Sequence, residues 1–199
     1  MSDAGKRLPP ITRRGLLLGG AALGGGVLSL ISPPAAARLR PPGALDEPDF
    51  TRRCIRCLRC AEVCPPGAIR FASSFALAGS DTPYIDARRR PCTLCMRCTQ
   101  VCPSGALAPI DADRAVVGAQ VRMGDPRLDR QKCIAWQESG ECRACYYVCP
   151  YAGAAVRLEG RQLGPVFDRE ACVGCGQCEE ACPEAALAIT IAPRSGARS

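Results

Sequence analysis

The chain has 199 residues, of which 47% are apolar and 5% aromatic, with a formal charge of +7, sixteen cysteines and no histidine. This length allows one or two domains, and the low aromatic content predicts that something other than burial of large side chains organises the fold. The missing histidine excludes Ser-His-Asp and Cys-His catalytic pairs, Rieske centres, histidine-ligated haem and Cys2His2 zinc fingers.

Residues 1–37 have the order of an export signal: a basic region, a soft apolar stretch over 15–31 and the small-residue run of 35–37. Residues 12–18, with the sequence TRRGLLL, resemble a twin-arginine signal and differ from its usual pattern in two leucines. The prediction is therefore export to the periplasm by the twin-arginine route. An uncleaved membrane anchor and a disordered tail remain alternatives. Because much of the positive charge lies here, the rest of the chain does not indicate nucleic-acid binding.

The cysteines after this segment form four groups of four, and each group ends in Cys-Pro. Groups one, two and four read C-x2-C-x2-C-x3-C-P, whereas group three reads C-x8-C-x2-C-x3-C-P. In chain order the groups are Cys54, Cys57, Cys60 and Cys64; Cys92, Cys95, Cys98 and Cys102; Cys133, Cys142, Cys145 and Cys149; and Cys172, Cys175, Cys178 and Cys182.

This spacing is the one that bacterial-type ferredoxins use to bind [4Fe–4S] clusters. Three cysteines two residues apart converge on one cubane, and the fourth, expected one turn later on a short helix, reaches the neighbouring cluster. Structural zinc would need paired knuckles, and eight disulfides among such crowded cysteines would be strained. The pattern predicts that all sixteen cysteines bind four [4Fe–4S] clusters. Clusters built in the reducing cytoplasm also suit an export route for folded proteins.

Short strands are predicted between the cysteine groups, at 68–71 and 83–86, at 155–158 and 165–168, at 115–122 and at 186–191. Together with the short cysteine helices they predict an α+β fold of two bacterial-ferredoxin-like lobes, each holding two clusters. The expected boundaries are 38–110 for the first lobe, 111–130 for a linker and 131–199 for the second lobe. A nested arrangement, in which group one pairs with group four and group two with group three, remains an alternative.

With these motifs in view, the chain resembles the NapG/MauM family of exported ferredoxin-type proteins. The likeness rests on the signal, the four cysteine groups, the segment 90–103 and the stretched third group at 133–142. The resemblance implies electron transfer beside a membrane-bound iron–sulfur quinol dehydrogenase subunit and onward to a periplasmic redox acceptor. That acceptor system would be of the nitrate reductase type or the methylamine-utilisation type, and membrane association would come through the partner.

No catalytic residue is predicted, so an electron carrier without substrate chemistry is expected; a maturation factor for a periplasmic redox enzyme is the alternative. Arg56, Arg59 and Arg97 lie inside ligand loops and are candidates for raising cluster potentials. Trp136 is expected either to shield the third group or meet a partner, or to pack on its own hairpin. Tyr146 and Tyr147 are expected to serve as packing residues.

Overall fold

The structure, a computed structural model, describes residues 38–71, 82–137, 140–183 and 187–194. The described residues belong to one compact unit. The predicted export signal at 1–37 lies outside the described residues. Within the described ranges, no helix has both the length and the apolar character that a membrane span requires.

Short helices and three antiparallel strand pairs alternate along the described chain, which makes the fold a mixture of helix and strand. The helices are α1 Glu47–Arg53, α2 Arg59–Glu62, α3 Arg97–Gln100, α4 Arg114–Gln120, α5 Ala144–Tyr147 and α6 Gln177–Glu180, with a 3-10 turn at Ile134–Trp136. The strands are β1 Ile69–Phe71, β2 Pro83–Ile85, β3 Gly124–Leu128, β4 Val156–Glu159, β5 Gly164–Phe167 and β6 Ile189–Pro193.

Two hairpins, β1–β2 and β4–β5, occupy the positions predicted for them between cysteine groups. In the first hairpin Ile69 faces Ile85 across the ladder, and both side chains are buried. In the second, Val156 lies opposite Phe167, with Val156 fully buried. Each hairpin therefore turns one apolar side toward the interior, as the alternation of residues required.

The segment 111–130, expected to be a linker, instead holds α4 and β3, and β3 pairs with the final strand β6. The strand predicted at 115–122 is wrong, because these residues form α4. The Asp113 carboxylate accepts hydrogen bonds from the backbone N–H groups of Ala115 (2.8 Å) and Val116 (3.1 Å), which caps the first turn of a helix. The predicted final strand is present as β6, although part of 186–191 lies outside the described residues.

One hydrophobic core extends through both predicted lobes. We call the part of the chain with groups one and two the first cysteine half, and the part with groups three and four the second. The core joins Ile85 and Met96 of the first half to Val173 and Ile189 of the second. The segment 111–130, which was predicted to be a linker, contributes Val117, Val121 and Met123 to the same core. A second, smaller core surrounds Phe50 of α1, which is completely buried. The two cysteine halves therefore share the larger core, while the smaller core lies within the first half.

Candidate iron–sulfur sites

The structure gathers all sixteen cysteines around four cavities, and each cavity is lined by four of them. Three come from one sequence group and the fourth is the last cysteine of the adjacent group. Site one holds Cys54, Cys57, Cys60 and Cys102; site two holds Cys64, Cys92, Cys95 and Cys98; site three holds Cys133, Cys142, Cys145 and Cys182; and site four holds Cys149, Cys172, Cys175 and Cys178.

Groups one and two therefore exchange their last cysteines, and so do groups three and four. This is the crossed pairing expected for two ferredoxin-like halves, and none of the four cavities has the nested pairing. In the described part of the chain, no group of three or more cysteine or carboxylate side chains has the spacing to hold a single metal ion.

The ligand loops curl because the two residues that flank the middle cysteine take left-handed backbone angles. In group one these are Arg56 (φ 59°) and Leu58 (φ 63°). The same two positions are left-handed in group two, at 94 and 96, and in group four, where glycine occupies both. Left-handed residues on both sides of a cysteine turn successive backbone N–H groups toward one concave side. This geometry suits an anionic group such as an iron–sulfur cluster.

A single helical turn follows each loop and separates the third cysteine from the fourth. The third cysteine lies within the turn, as Cys60 does in α2, and the fourth, such as Cys64, lies beyond the helix end. The expectation that the fourth cysteine lies on the helix is therefore corrected. The helical turn leads the chain from one cavity to the next, so that the fourth thiol of the group lines the neighbouring cavity.

Backbone N–H groups already donate to several cysteine sulfurs. Leu94 donates to the Sγ of Cys92 at 3.3 Å, and Ala68 donates to the Sγ of Cys64, also at 3.3 Å. Leu107 donates to the Sγ of Cys102 at 3.4 Å. Such N–H···S contacts stabilise a negatively charged sulfur and tune the potential of a bound cluster.

The thiols require a positive partner if they are to ionise together. Burial, with the nearby thiols of Cys54 and Cys57 adding to it, raises the pKa of Cys60 to about 11. Burial and neighbouring thiols likewise raise the pKa of Cys92 and Cys98 to about 12. Iron ions supply the charge that holds such thiols as thiolates. Four convergent thiols therefore fit a [4Fe–4S] cluster at each site, and the curled loops of groups one, two and four add to that fit.

Three contacts connect the four sites in a row. Sites one and two meet where α2, which carries Cys60, packs against α3, which carries Cys98. Sites three and four meet where α5, which carries Cys145, packs against α6, which carries Cys178. The two halves meet at sites two and four, where Cys92 donates its backbone N–H to the carbonyl of Cys175 at 2.9 Å. We call the order one–two–four–three the single file.

Side chains that the sequence analysis did not single out form hydrogen bonds across the junction between sites two and four. The amide of Gln177 donates to the carbonyl of Cys92 at 3.1 Å. Arg88, which the sequence shows only as one of many arginines, donates to the backbone carbonyls of Glu179 (3.0 Å) and Cys182 (2.9 Å). No sequence pattern identifies these contacts, because each joins residues more than eighty positions apart.

The two ends of the single file are the most open. Cys57 at site one is the single exposed cysteine among the sixteen, and Ile55 and Leu58 beside it are 62% and 49% exposed. Site three carries Tyr147, which is 73% exposed and makes an edge-to-face contact with Tyr146. All four cysteines supplied by group four are buried.

Of the other predicted residues, Arg56, Arg59 and Arg97 are exposed at their loops. Trp136 packs on its own hairpin: its indole N–H donates to the carbonyl of Pro165 at 3.1 Å, and the guanidinium of Arg130 lies 4.2 Å from the ring centre. The packing alternative for Trp136 is therefore the one that the structure supports.

Two family models match the chain. A 4Fe-4S dicluster domain matches residues 53–106, and a 4Fe-4S binding domain matches residues 165–188. The first model spans groups one and two, which are the two groups that exchange cysteines in the first half.

Curated relatives match over most of the chain. The methylamine utilization ferredoxin-type protein MauM of Methylobacillus flagellatus is 37% identical over 195 residues, which cover 92% of this chain and 81% of that protein. The MauM of Methylophilus methylotrophus is 38% identical over 170 residues, covering 80% and 73%. The ferredoxin-type protein NapG of Escherichia coli is 37% identical over 195 residues, covering 90% and 82%. With these likenesses and two 4Fe-4S domains, the chain belongs to the NapG/MauM family of ferredoxin-type proteins.

Proposed function

We propose that this iron–sulfur electron-transfer protein holds four [4Fe–4S] clusters and relays electrons from a membrane-bound quinol dehydrogenase subunit to a periplasmic redox acceptor. The observation that carries the proposal is the single file, in which two pairs of packed helices and one backbone hydrogen bond connect all four sites. A protein built for substrate chemistry would instead need an open cavity with acid–base or nucleophilic groups beside a cofactor.

The chain's own residues give the relay its order. The packing of α2 on α3 brings sites one and two together, and the packing of α5 on α6 does the same for sites three and four. The hydrogen bond from Cys92 to Cys175 makes the step between halves. When bound, a [4Fe–4S] cluster takes up and releases one electron without moving atoms or protons. A quinol releases two electrons and two protons, so the chain passes two single electrons for each quinol.

The proposed location and partners rest on the family and on the sequence. Relatives named for methylamine utilization and the NapG relatives are both ferredoxin-type proteins of similar length. The twin-arginine resemblance at 12–18 supports export to the periplasm, with membrane association through the quinol dehydrogenase subunit. The redox acceptor belongs to either the nitrate reductase type or the methylamine-utilisation type.

Anaerobic purification with iron and sulfide analysis tests the cluster content. We expect about sixteen irons and sixteen sulfides per chain, four for each complete site. Reduced protein should show an EPR spectrum with spin coupling between neighbouring clusters. Zinc-loaded protein without iron, obtained from anaerobic cells, would contradict the proposal.

A deletion strain tests the relay against the maturation alternative. Removing the protein should slow quinol-dependent electron flow to the terminal enzyme while the cofactor content of that enzyme stays normal. A terminal enzyme that lacks its cofactor, with electron flow normal per intact enzyme, would favour a maturation factor.

Changing Arg13 and Arg14 to lysine should leave the precursor in the cytoplasm if export uses the twin-arginine route.

A further inference from the structure

The exposed end of the single file is a cationic surface with an apolar centre. We call it the site-one face. It consists of Arg53, Ile55, Arg56, Leu58 and Arg59, all exposed. Arg52, also exposed, is ion-paired with Asp49 at 3.2 Å. The apolar side chains Ile55 and Leu58 line the same cavity as the four thiols of site one. An incoming surface would therefore meet apolar contacts directly over the redox site and positive charge around them.

Leu58 has an unfavourable backbone conformation, and burial of its side chain within the protein does not compensate for it. Its left-handed backbone is unfavourable for a residue other than glycine. The corresponding residue in group two, Met96, is 1% exposed, so burial compensates there. The corresponding residue in group four is Gly176, which avoids the cost. Leu58 instead keeps a 49% exposed apolar side chain at the cavity of site one, where a partner's surface could cover it.

The chemistry of the surface selects a protein partner over a lipid surface. Arginines and exposed aliphatic side chains would also suit an anionic bilayer. However, the exposed thiol of Cys57 lies within this surface, and a bilayer cannot donate or accept an electron. A redox protein whose centre is surrounded by acidic and apolar residues complements both the charge and the position of the site.

We propose that the site-one face is the docking surface for the electron donor, an acidic surface of the quinol-oxidising membrane subunit. This inference rests on the proposed function. At the docked face the partner's redox centre loses one electron and site one gains it, with no atom transferred. Acidic side chains around the redox centre of the membrane subunit would attract and orient this positive face.

Four variants of the holo-protein test this surface. Leu58→Gly and the double variant Arg53→Gln/Arg59→Gln change the site-one face. Leu163→Gly is the matched control for the first, because Leu163 is also left-handed and 37% exposed but lies on the β4–β5 turn. Arg127→Gln/Arg161→Gln, two exposed positions in the second half, controls for the lost charge. Iron content and melting temperature establish that each variant is intact.

The donor is supplied as membranes from a strain that lacks this protein, with duroquinol as the reductant. We expect each site-one variant to raise the KM for the protein by about tenfold or more, which corresponds to ~1.4 kcal/mol of binding free energy. Co-sedimentation with the same membranes should weaken in parallel, without any turnover. Reduction by dithionite should stay unchanged, and both controls should behave as the unaltered protein does.

Three outcomes would overturn the inference. Site-one variants that match the unaltered protein would show that the donor docks elsewhere, while the proposed relay would stand. Equal binding to protein-free vesicles containing phosphatidylglycerol would identify a lipid surface instead. If the unaltered protein is not reduced by quinol and membranes, the proposed donor and its docking surface both fail. Should Leu58→Gly lose iron, the double arginine variant decides, because it leaves the loop backbone unchanged.

Discussion

At the scale of single residues, the same left-handed loop position is occupied in three different ways. Leu58, Met96 and Gly176 each follow the middle cysteine of their group and share a positive φ. Leu58 is half exposed and Met96 is buried, whereas Gly176 presents no side chain. The loop shape is therefore fixed by the ligand geometry, and the side chain is chosen by what lies around each site.

Replacing these residues with glycine should separate strain from packing. Met96→Gly relieves the backbone but removes a buried side chain whose transfer from water contributes about 2 kcal/mol. We expect a lower melting temperature of the holo-protein, by about 2–4 °C for each net kcal/mol lost. Leu58→Gly should leave the melting temperature unchanged or higher, because little buried surface is lost. Equal destabilisation by both variants in anaerobic calorimetry would contradict this account.

The crossed ligands make a prediction at the level of one thiol. Cys102→Ser should alter the EPR signal of the cluster held by Cys54, Cys57 and Cys60, since Cys102 completes that site. The signals of sites three and four should remain as in the unaltered protein. Cys149→Ser is the matched change in the second half and should alter site four alone. A disturbed second half in Cys102→Ser would argue against the crossed pairing.

At the scale of elements, α4 shows where sequence reasoning failed and why. The run Ala-Val-Val from 115 favours a strand by β propensity, because branched side chains suit a pleated surface. In the protein Asp113 caps a helix, and Val117 and Val121 lie four residues apart, both buried on one side. The hairpins were predictable because their alternation and their position between cysteine groups agreed. For α4, the local cap and the tertiary burial outweighed propensity.

Removing the cap should weaken α4 measurably. Asp113→Ala leaves two backbone N–H groups without their side-chain acceptor, which costs about 1 kcal/mol. The melting temperature of the holo-protein should therefore fall by a few degrees. Asp113→Ser keeps an acceptor at the same position and should recover most of the loss. A substitution to alanine with no thermal effect would show that α4 is held by its buried valines alone.

At the scale of the whole molecule, the two cysteine halves meet through close backbone contact as well as through side chains of a shared core. Cys92 and Cys175 approach within a hydrogen bond, and a Cβ built on Gly176 would lie 2.4 Å from the Cβ of Ala87. The sequence indicated four cysteine groups and their ligand roles, but it could not reveal which groups touch across the halves. That arrangement depends on a shared core that includes the segment expected to be a linker.

The close approach at Gly176 can be tested against a matched glycine. Gly176 and Gly153 have nearly the same φ, +85° and +88°, yet a Cβ at Gly153 would meet nothing within 4 Å. Both changes to alanine introduce backbone strain, and only Gly176→Ala also pushes the halves apart. We expect Gly176→Ala to lower the melting temperature further and to weaken the spin coupling between the clusters of sites two and four. Equal effects of the two variants would contradict a tight junction.

Because neighbouring groups exchange their last cysteines, the ligand sets of the four sites become complete in a fixed order during translation. When a ribosome has made Cys54, Cys57 and Cys60, the first site still lacks its fourth thiol until Cys102 emerges. The third site waits in the same way for Cys182, the last of the sixteen cysteines in chain order. A chain cut short anywhere before that residue would therefore be left with an incomplete third site. The first and second sites can be completed once Cys102 has emerged, whereas the third must wait for the last ligand.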